Sequence, residues 1–284
     1  MKISGIPNYR DLDLSGESRA AARRMEDRAL TPASRAMFED LVDPLLGGLS
    51  GAPSDSSPAV LEVGCGTAAL SRRVARTLPG ATVYAADKSE GMLAAAREYA
   101  EAEGGGGGEL VLGWWDVLDP AAFPFDRDRF ALILSSVMAP YLDDDGTEAL
   151  VRDLSSRLAP GGTLAFIEQD LTTDTVNFPD FDLLRRVYAR DERDLKRTVA
   201  LGLRPLLRET GLRLLPRRSF LWTDDEYLPY TRDLLGRIAD DALKAGRITD
   251  AERGRWTETL ESLAAAGDFY YGIVYHRIAG HAPA

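Results

Sequence analysis

The sequence predicts an α/β protein, a parallel sheet with helices packed on both faces. Three observations carry the prediction. Short apolar runs alternate with segments of helical periodicity between residues 59 and 168, and this order builds parallel sheets through right-handed crossovers. The first apolar run ends in Gly64-Cys65-Gly66, where glycine lets a strand turn sharply into a helix. The segment DFYYGIVYHRIA (268–279) is rich in aromatic and β-branched residues and reads as a closing strand.

Taken in order, residues 1–15 read as irregular and 16–46 as two helices. Ser15 or Ser18 marks the first start; Thr31-Pro32 marks the second, with threonine as cap and proline in the first turn. Met37, Leu41, Leu45 and Leu46 recur at helical spacing. GGLSGAPSDSSP (47–58) is a linker by composition. Strands are expected at 59–63, 81–86, 109–113, 130–136 and 163–168, and helices at 67–78, 89–103 and 145–158, with the glycine run 104–108 as a flexible turn. Beyond residue 170 the pattern loosens. Residues 178–210 read as mainly helical, 213–222 as a strand, and 225–245 and 249–266 as helices. This predicts an N-terminal helical cap over 1–50 and a main domain over 51–284, with lid insertions near 171–200 and 224–266.

Charge narrows the partners. The 284 residues carry 34 Lys and Arg against 45 Asp and Glu, a net charge of −11. So acidic a chain is repelled by phosphate backbones, which argues against nucleic acid or an anionic membrane surface and for a small molecule. Cys65 is the one cysteine, so no intrachain disulfide forms and a reducing cytoplasm is the expected location. Residues 1–24 lack an apolar core and include Asp11, Asp13 and Glu17, unlike a secretion signal. The apolar stretch 130–142 falls short of the roughly 18 residues a membrane span requires. A homodimer is compatible with all of this.

The informative stretch is VLEVGCGTAALS (60–71). Bare backbone at Gly64 and Gly66 allows a ligand to approach closely, and Asp87, ending the next strand, can accept hydrogen bonds from ribose hydroxyls. Gly64, Gly66 and Ala69 equally satisfy a dinucleotide fingerprint, and Asp87 also suits the ribose of NAD. A dehydrogenase needs a hydride-handling set as well. The Tyr84-x-x-x-Lys88 spacing lies on the second strand, the wrong element for that role.

Several segments in order resemble the class I S-adenosylmethionine-dependent methyltransferases. Glu62 precedes the glycines as in that family's E/D-x-G-x-G motif. AADKSEGML (85–93) is similar to its acidic strand end and helix start. Asp116 follows the third strand, LAPGGTLAFIE (158–168) resembles its L-x-P-G-G turn, and LRPLLRETGLRL (203–214) resembles the helix and strand that follow. The third glycine of the family loop is Ala68 here. The ubiquinone-methyltransferase-like small-molecule group is the most similar.

The resemblance implies a Rossmann-like, seven-stranded, mostly parallel sheet whose last strand is antiparallel, with a helical lid from the N-terminus and the C-terminal half. It implies S-adenosyl-L-methionine as cofactor. Gly64 and Gly66 would face its methionine part, Glu62 its ammonium and Asp87 its ribose. Lys88 and Met92 would flank the adenine, Asp116 and Val117 would meet its edge, and Ser135 would lie near the methionine. No metal is implied. The reaction expected is in-line methylation of a small acceptor on O, N or C, in secondary metabolism. A non-methylating cyclisation or rearrangement, using the sulfonium charge alone, is the alternative.

In methyl transfer the protein mainly aligns the nucleophile and excludes water. A base is needed only if the acceptor loses a proton. His281 is in the tail, and His276 lies far along a last strand whose start, near Phe269 and Tyr270, is expected at the cofactor end. The base candidates are therefore Glu168 and Asp170, leaving the fifth strand at its carboxyl end, with Tyr141 after the fourth strand. Tyr9 and Arg10 are expected to fold over from the N-terminus. Trp114, Trp115, Trp222, Tyr227, Tyr230, Phe269 and Tyr270 are expected to line an apolar substrate pocket.

Overall fold

The structure is a computed structural model that describes residues 12–49, 57–104, 107–189 and 202–284. Tyr9 and Arg10, most of the 47–58 linker, and part of the 171–200 lid segment lie outside the described residues. The chain divides into two compact units. Among the described residues the larger unit holds 12–169, 202–220 and 275–284, and the smaller holds 170–189 and 221–274.

Strands β1 (Ala59–Val63), β2 (Thr82–Asp87), β3 (Glu109–Trp114), β4 (Phe130–Ser136), β5 (Leu158–Val176), β6 (Arg213–Leu214), β7 (Arg218–Asp224) and β8 (Tyr271–His281) form one eight-stranded sheet. Its order is β3-β2-β1-β4-β5-β8-β6, with β7 paired to β8. Strands β1 to β5 run parallel, and β6 pairs with β8 antiparallel. The segment expected as one strand over 213–222 is instead two short strands, which brings the count to eight. The chain runs outward from β1 through β2 and β3, then returns to the other side of β1 as β4. The carboxyl ends of β1 and β4 thus form the switch point where open α/β sheets bind ligands.

In the larger unit, helices α1 (Leu12–Ser15), α2 (Ser18–Ala29), α3 (Pro32–Leu41) and α4 (Asp43–Leu46) precede the sheet. Thr31 caps α3 as its sequence indicates, its hydroxyl accepting from the Ser34 amide at 3.1 Å. Helices α5 (Ala69–Thr77), α6 (Glu90–Ala102) and α7 (Asp144–Ser156) connect the parallel strands; α8 (Phe181–Val187) falls in the smaller unit, and α9 (Leu203–Glu209) returns to the larger. One sheet face buries Leu61, Val63, Ile133, Leu164 and Phe166 in a cluster with Leu150 and Leu154 of α7 and Leu203 and Leu207 of α9. Each such side chain contributes about 1.5–3 kcal/mol through burial. Tyr84 packs edge-to-face on Phe125 and Phe130, a core role that removes it from any hydride chemistry.

In the smaller unit, α10 (Pro229–Lys244) and α11 (Asp250–Ala266) form a helical pair. A capping box at Thr249 and Glu252 starts α11, and Gly267, at φ 76°, ends it. Trp256 is buried against Phe178 at a ring distance of 4.4 Å. Trp222 packs edge-to-face on Tyr230 and Tyr271, and Tyr227 packs against Phe269. Trp115 is likewise buried, its indole N–H donating to the Asp119 carbonyl at 2.9 Å. Most of the aromatic residues expected to line a substrate pocket are therefore packing residues. No helix of the described residues is long and apolar enough to cross a membrane.

Candidate active site

At the carboxyl end of β1 the chain turns through Gly64 (φ 65°) and Gly66 (φ 54°), both in the left-handed region that favours glycine. Ala68 adopts φ 56° without being glycine and is fully buried. This delays α5 to Ala69, two residues later than its periodicity suggests. Asp87, ending β2, fixes the turn: the Gly66 amide donates to its Oδ2 at 2.8 Å and the Ser89 amide to its Oδ1 at 2.9 Å. Burial raises the Asp87 pKa despite these bonds.

Glu62, on β1, is buried. Its Oε2 accepts from the Ser71 amide at 2.9 Å and from the Ser71 hydroxyl. Burial pushes its pKa up to about 7. One carboxylate oxygen is thus spent on anchoring the first turn of α5 to the strand.

The ends of β2 and β3 bring Lys88 and Asp116 together, with Nζ 3.7 Å from Oδ2. Asp116 Oδ1 accepts from the Leu118 amide at 3.1 Å, and the Trp114 indole donates to the Lys88 carbonyl at 2.7 Å. Met92 is buried in the first turn of α6, its amide bonded to the Ser89 hydroxyl that caps the helix. Val117 packs on the main apolar cluster. Ser135, near the end of β4, is fully buried, and its hydroxyl has no hydrogen-bond partner among the described residues.

Three residues that the sequence did not single out cover the glycine turn and the start of α6. A Cβ added to Gly64 would collide with the Met138 side chain, and one on Gly66 would meet Met25 Sδ at 2.5 Å. Asp13 accepts from the Ser89 hydroxyl and from the amides of Glu90 and Gly91. The position of Met138, two residues after β4, was a usable signal. Met25 and Asp13 are joined to the site only by the fold. Methionine is unbranched and adaptable, so both side chains can fit themselves to a ligand lying against the turn.

Of the base candidates, Glu168 is fully buried, with its pKa pushed up to about 8 by burial. Tyr141 ends the short helical turn Ala139–Tyr141 and is half-buried. Asp170 belongs to the smaller unit, where its Oδ1 accepts from the Thr172 amide at 3.0 Å and hydroxyl at 2.6 Å. His281 bonds Thr163 at 2.7 Å, and Gln169 bonds the Tyr275 hydroxyl at 2.5 Å. These two bonds set a register that puts His276 level with Glu168 on the neighbouring strand, not far from the carboxyl edge as expected. The reason is that β5 runs on past Glu168 to Val176, so the first residues of β8 lie beyond the level where β4 ends. The His276 ring is bonded to the Ser219 hydroxyl at 2.8 Å.

Comparison with known proteins agrees with this geometry. Residues 60–162 match the family described as a methyltransferase domain. A malonyl-[acyl-carrier protein] O-methyltransferase of Hahella chejuensis (strain KCTC 2396) is 33% identical over 114 residues, 40% of this chain and 36% of that protein. The chain thus matches about a third of that relative's length. Among solved structures, a candidate sarcosine dimethylglycine methyltransferase of Galdieria sulphuraria superposes with a TM-score of 0.52 at 14% identity, covering 88% of this chain and 86% of that one. A candidate methyltransferase of Bacillus halodurans C-125 gives 0.52 at 18% identity, covering 87% and 100%. The parallel sheet, with the glycine turn and Asp87 at the carboxyl ends of its strands, is the α/β architecture in which ligands bind at that edge. The match over residues 60–162 makes this part of the chain similar to the class I S-adenosylmethionine-dependent methyltransferases, whose cofactor is S-adenosyl-L-methionine.

The residues present fit that cofactor. The glycine turn offers backbone covered only by the adaptable Met138 and Met25 side chains, Asp87 offers an acceptor pair at the strand end, and the Ser135 hydroxyl is a buried group in want of a partner.

Proposed function

We propose that the chain transfers a methyl group from S-adenosyl-L-methionine to a small-molecule acceptor, on O, N or C, as an enzyme of secondary metabolism in the ubiquinone-methyltransferase-like group. The observation that carries this reading is the hydrogen bond from the Gly66 amide to Asp87, which joins the glycine turn to a strand-end carboxylate at the switch point of the sheet.

In this reading Asp87 takes the ribose hydroxyls. Gly64 and Gly66 admit the methionine portion, and Glu62 and Ser135 lie at its amino-acid end. Lys88, Met92, Asp116 and Val117 surround the adenine. When bound, the cofactor supplies an electrophilic methyl group on a sulfonium. The chain's own work is to hold that group, orient the acceptor and exclude water. Tyr141 shortly follows β4, and Glu168 lies within β5 just past the level where β4 ends, since β5 runs on to Val176 and does not stop near residue 168 as its apolar run suggests; Asp170 follows in the same strand. Acceptor choice is assigned to the lid segments 171–200 and 224–266 together with residues 1–50. A cytoplasmic location and a homodimer belong to the same proposal.

The test is a calorimetric titration with S-adenosylhomocysteine, followed by mass spectrometry of products from a panel of small acceptors. Binding together with the gain of one methyl group supports the reading. Binding with a rearranged product of unchanged mass favours the non-methylating alternative. Absence of binding removes both.

A further inference from the structure

The residue after β4 is strained. Val137 has φ 53°, a region that is a true outlier for a β-branched side chain. Such backbone persists only where its surroundings hold it. The Val137 amide donates to the Ile167 carbonyl at 2.9 Å. The Ala139 amide donates to the Glu168 carboxylate, to Oε1 at 3.4 Å, and the Met138 amide lies close enough to favour its charged form. The product of this turn is the placement of Met138: its Cβ would lie 2.9 Å from a Cβ on Gly64, and its Cγ nearer still. Glu168 is 0% exposed, and its Oε2 has no partner among the described residues. A proton acceptor must come within hydrogen-bond reach of the acceptor molecule, and a fully enclosed carboxylate turned on the backbone of the turn after β4 is poorly placed to do so.

We propose that Glu168 is a positioning residue. Its buried carboxylate holds the amide of Ala139 next to Met138, keeps the strained turn at Val137 closed, and so holds Met138 against Gly64 as a wall for the amino-acid end of the methyl donor. The inference rests on the cofactor reading given above. It assigns Glu168 to donor binding through Met138, and not to proton removal from the acceptor.

The experiment measures affinity for S-adenosylhomocysteine by calorimetry on the full chain. Wild type must bind; if it does not, the cofactor reading fails, and that failure is seen before any variant is compared. Glu168→Ala and Met138→Ala are each expected to weaken binding about tenfold, and the double variant no more than either single change, because the two act through one wall. Glu168→Gln keeps a carbonyl acceptor for the amide and is expected within about threefold of wild type. Glu168→Ala binding like wild type overturns the proposal, since a general base touches the acceptor and not the donor. So do additive losses in the double variant. If Glu168→Ala does not fold, Met138→Ala and Glu168→Gln decide: unchanged affinity in the first, or a tenfold loss in the second, sinks the assignment.

Discussion

The Asp13 carboxylate accepts a hydrogen bond from the Ser89 hydroxyl at 2.7 Å, across 76 residues of sequence. The same carboxylate takes the amides of Glu90 and Gly91 and the Ser18 hydroxyl. A residue of α1 thus serves the N-terminus of α6, where orphan amides and the helix dipole favour a negative charge. Replacing Asp13 by Ala should cost roughly 1 kcal/mol, the usual worth of such a cap, read as a lower melting temperature. Partial burial alone would raise the Asp13 pKa, but the four hydrogen bonds outweigh it and the net shift is downward. Its contribution is therefore present above the ordinary aspartate range and fades as the pH falls below about 4.

Asp87→Ala should weaken S-adenosylhomocysteine binding by about ten- to a hundredfold, the worth of hydrogen bonds to a charged group. Calorimetry at constant pH checks it. The Asp87→Asn variant keeps the shape but loses one acceptor, and should fall between the two.

One guanidinium nitrogen of Arg72 in α5 donates to both carboxylate oxygens of Glu26 in α2, at 2.7 and 2.8 Å, and both side chains are buried. Arg72 also bonds Glu103 and lies over the Tyr99 ring. Arg72→Ala leaves Glu26 buried without its partner, and should destabilise the fold by about 3–5 kcal/mol. A paired Glu26→Leu, Arg72→Met replacement should cost much less. Urea denaturation of the three variants measures the difference, and equal losses would contradict the buried-pair account.

Burial raises the pKa of Glu62 to about 7 and of Glu168 to about 8. Between the unfolded carboxyl pKa and these values the folded state binds more protons than the unfolded one. Stability should therefore fall as pH rises from about 5 to about 8 and level off above that. Denaturant midpoints at one-unit pH intervals check the slope, which Glu62→Gln and Glu168→Gln should each flatten. A rise in stability across this window would refute the assignment.

Much of the frame was legible in the sequence. AVLEV and FALILSS match β1 and β4 residue for residue, because parallel strands covered on both faces are continuous apolar runs. The length of β5 was not legible. It continues to Val176 through the polar segment QDLTTDTV, a partly exposed stretch whose pairing sets its conformation more than its hydrophobicity does. In the site, Gly64, Gly66 and Asp87 follow from spacing along two adjacent strands. Asp13, Met25 and Met138 do not, because only the folded chain brings them to the glycine turn. Lys88 and Asp116 fall between these cases: each was readable alone, and their pairing comes from the register that sets Asp87 beside Trp114.

Between Gly64 and Gly66 the Cys65 thiol is buried, and burial raises its pKa well above that of a free thiol. It is the single cysteine in the sequence. A disulfide-exchange reagent added near neutral pH has one target, reachable only when the first strand-to-helix turn comes apart. The colour released over time would then clock that opening directly, without a label or an engineered probe, and the slowing of the clock by added nucleoside would report how firmly the turn is held.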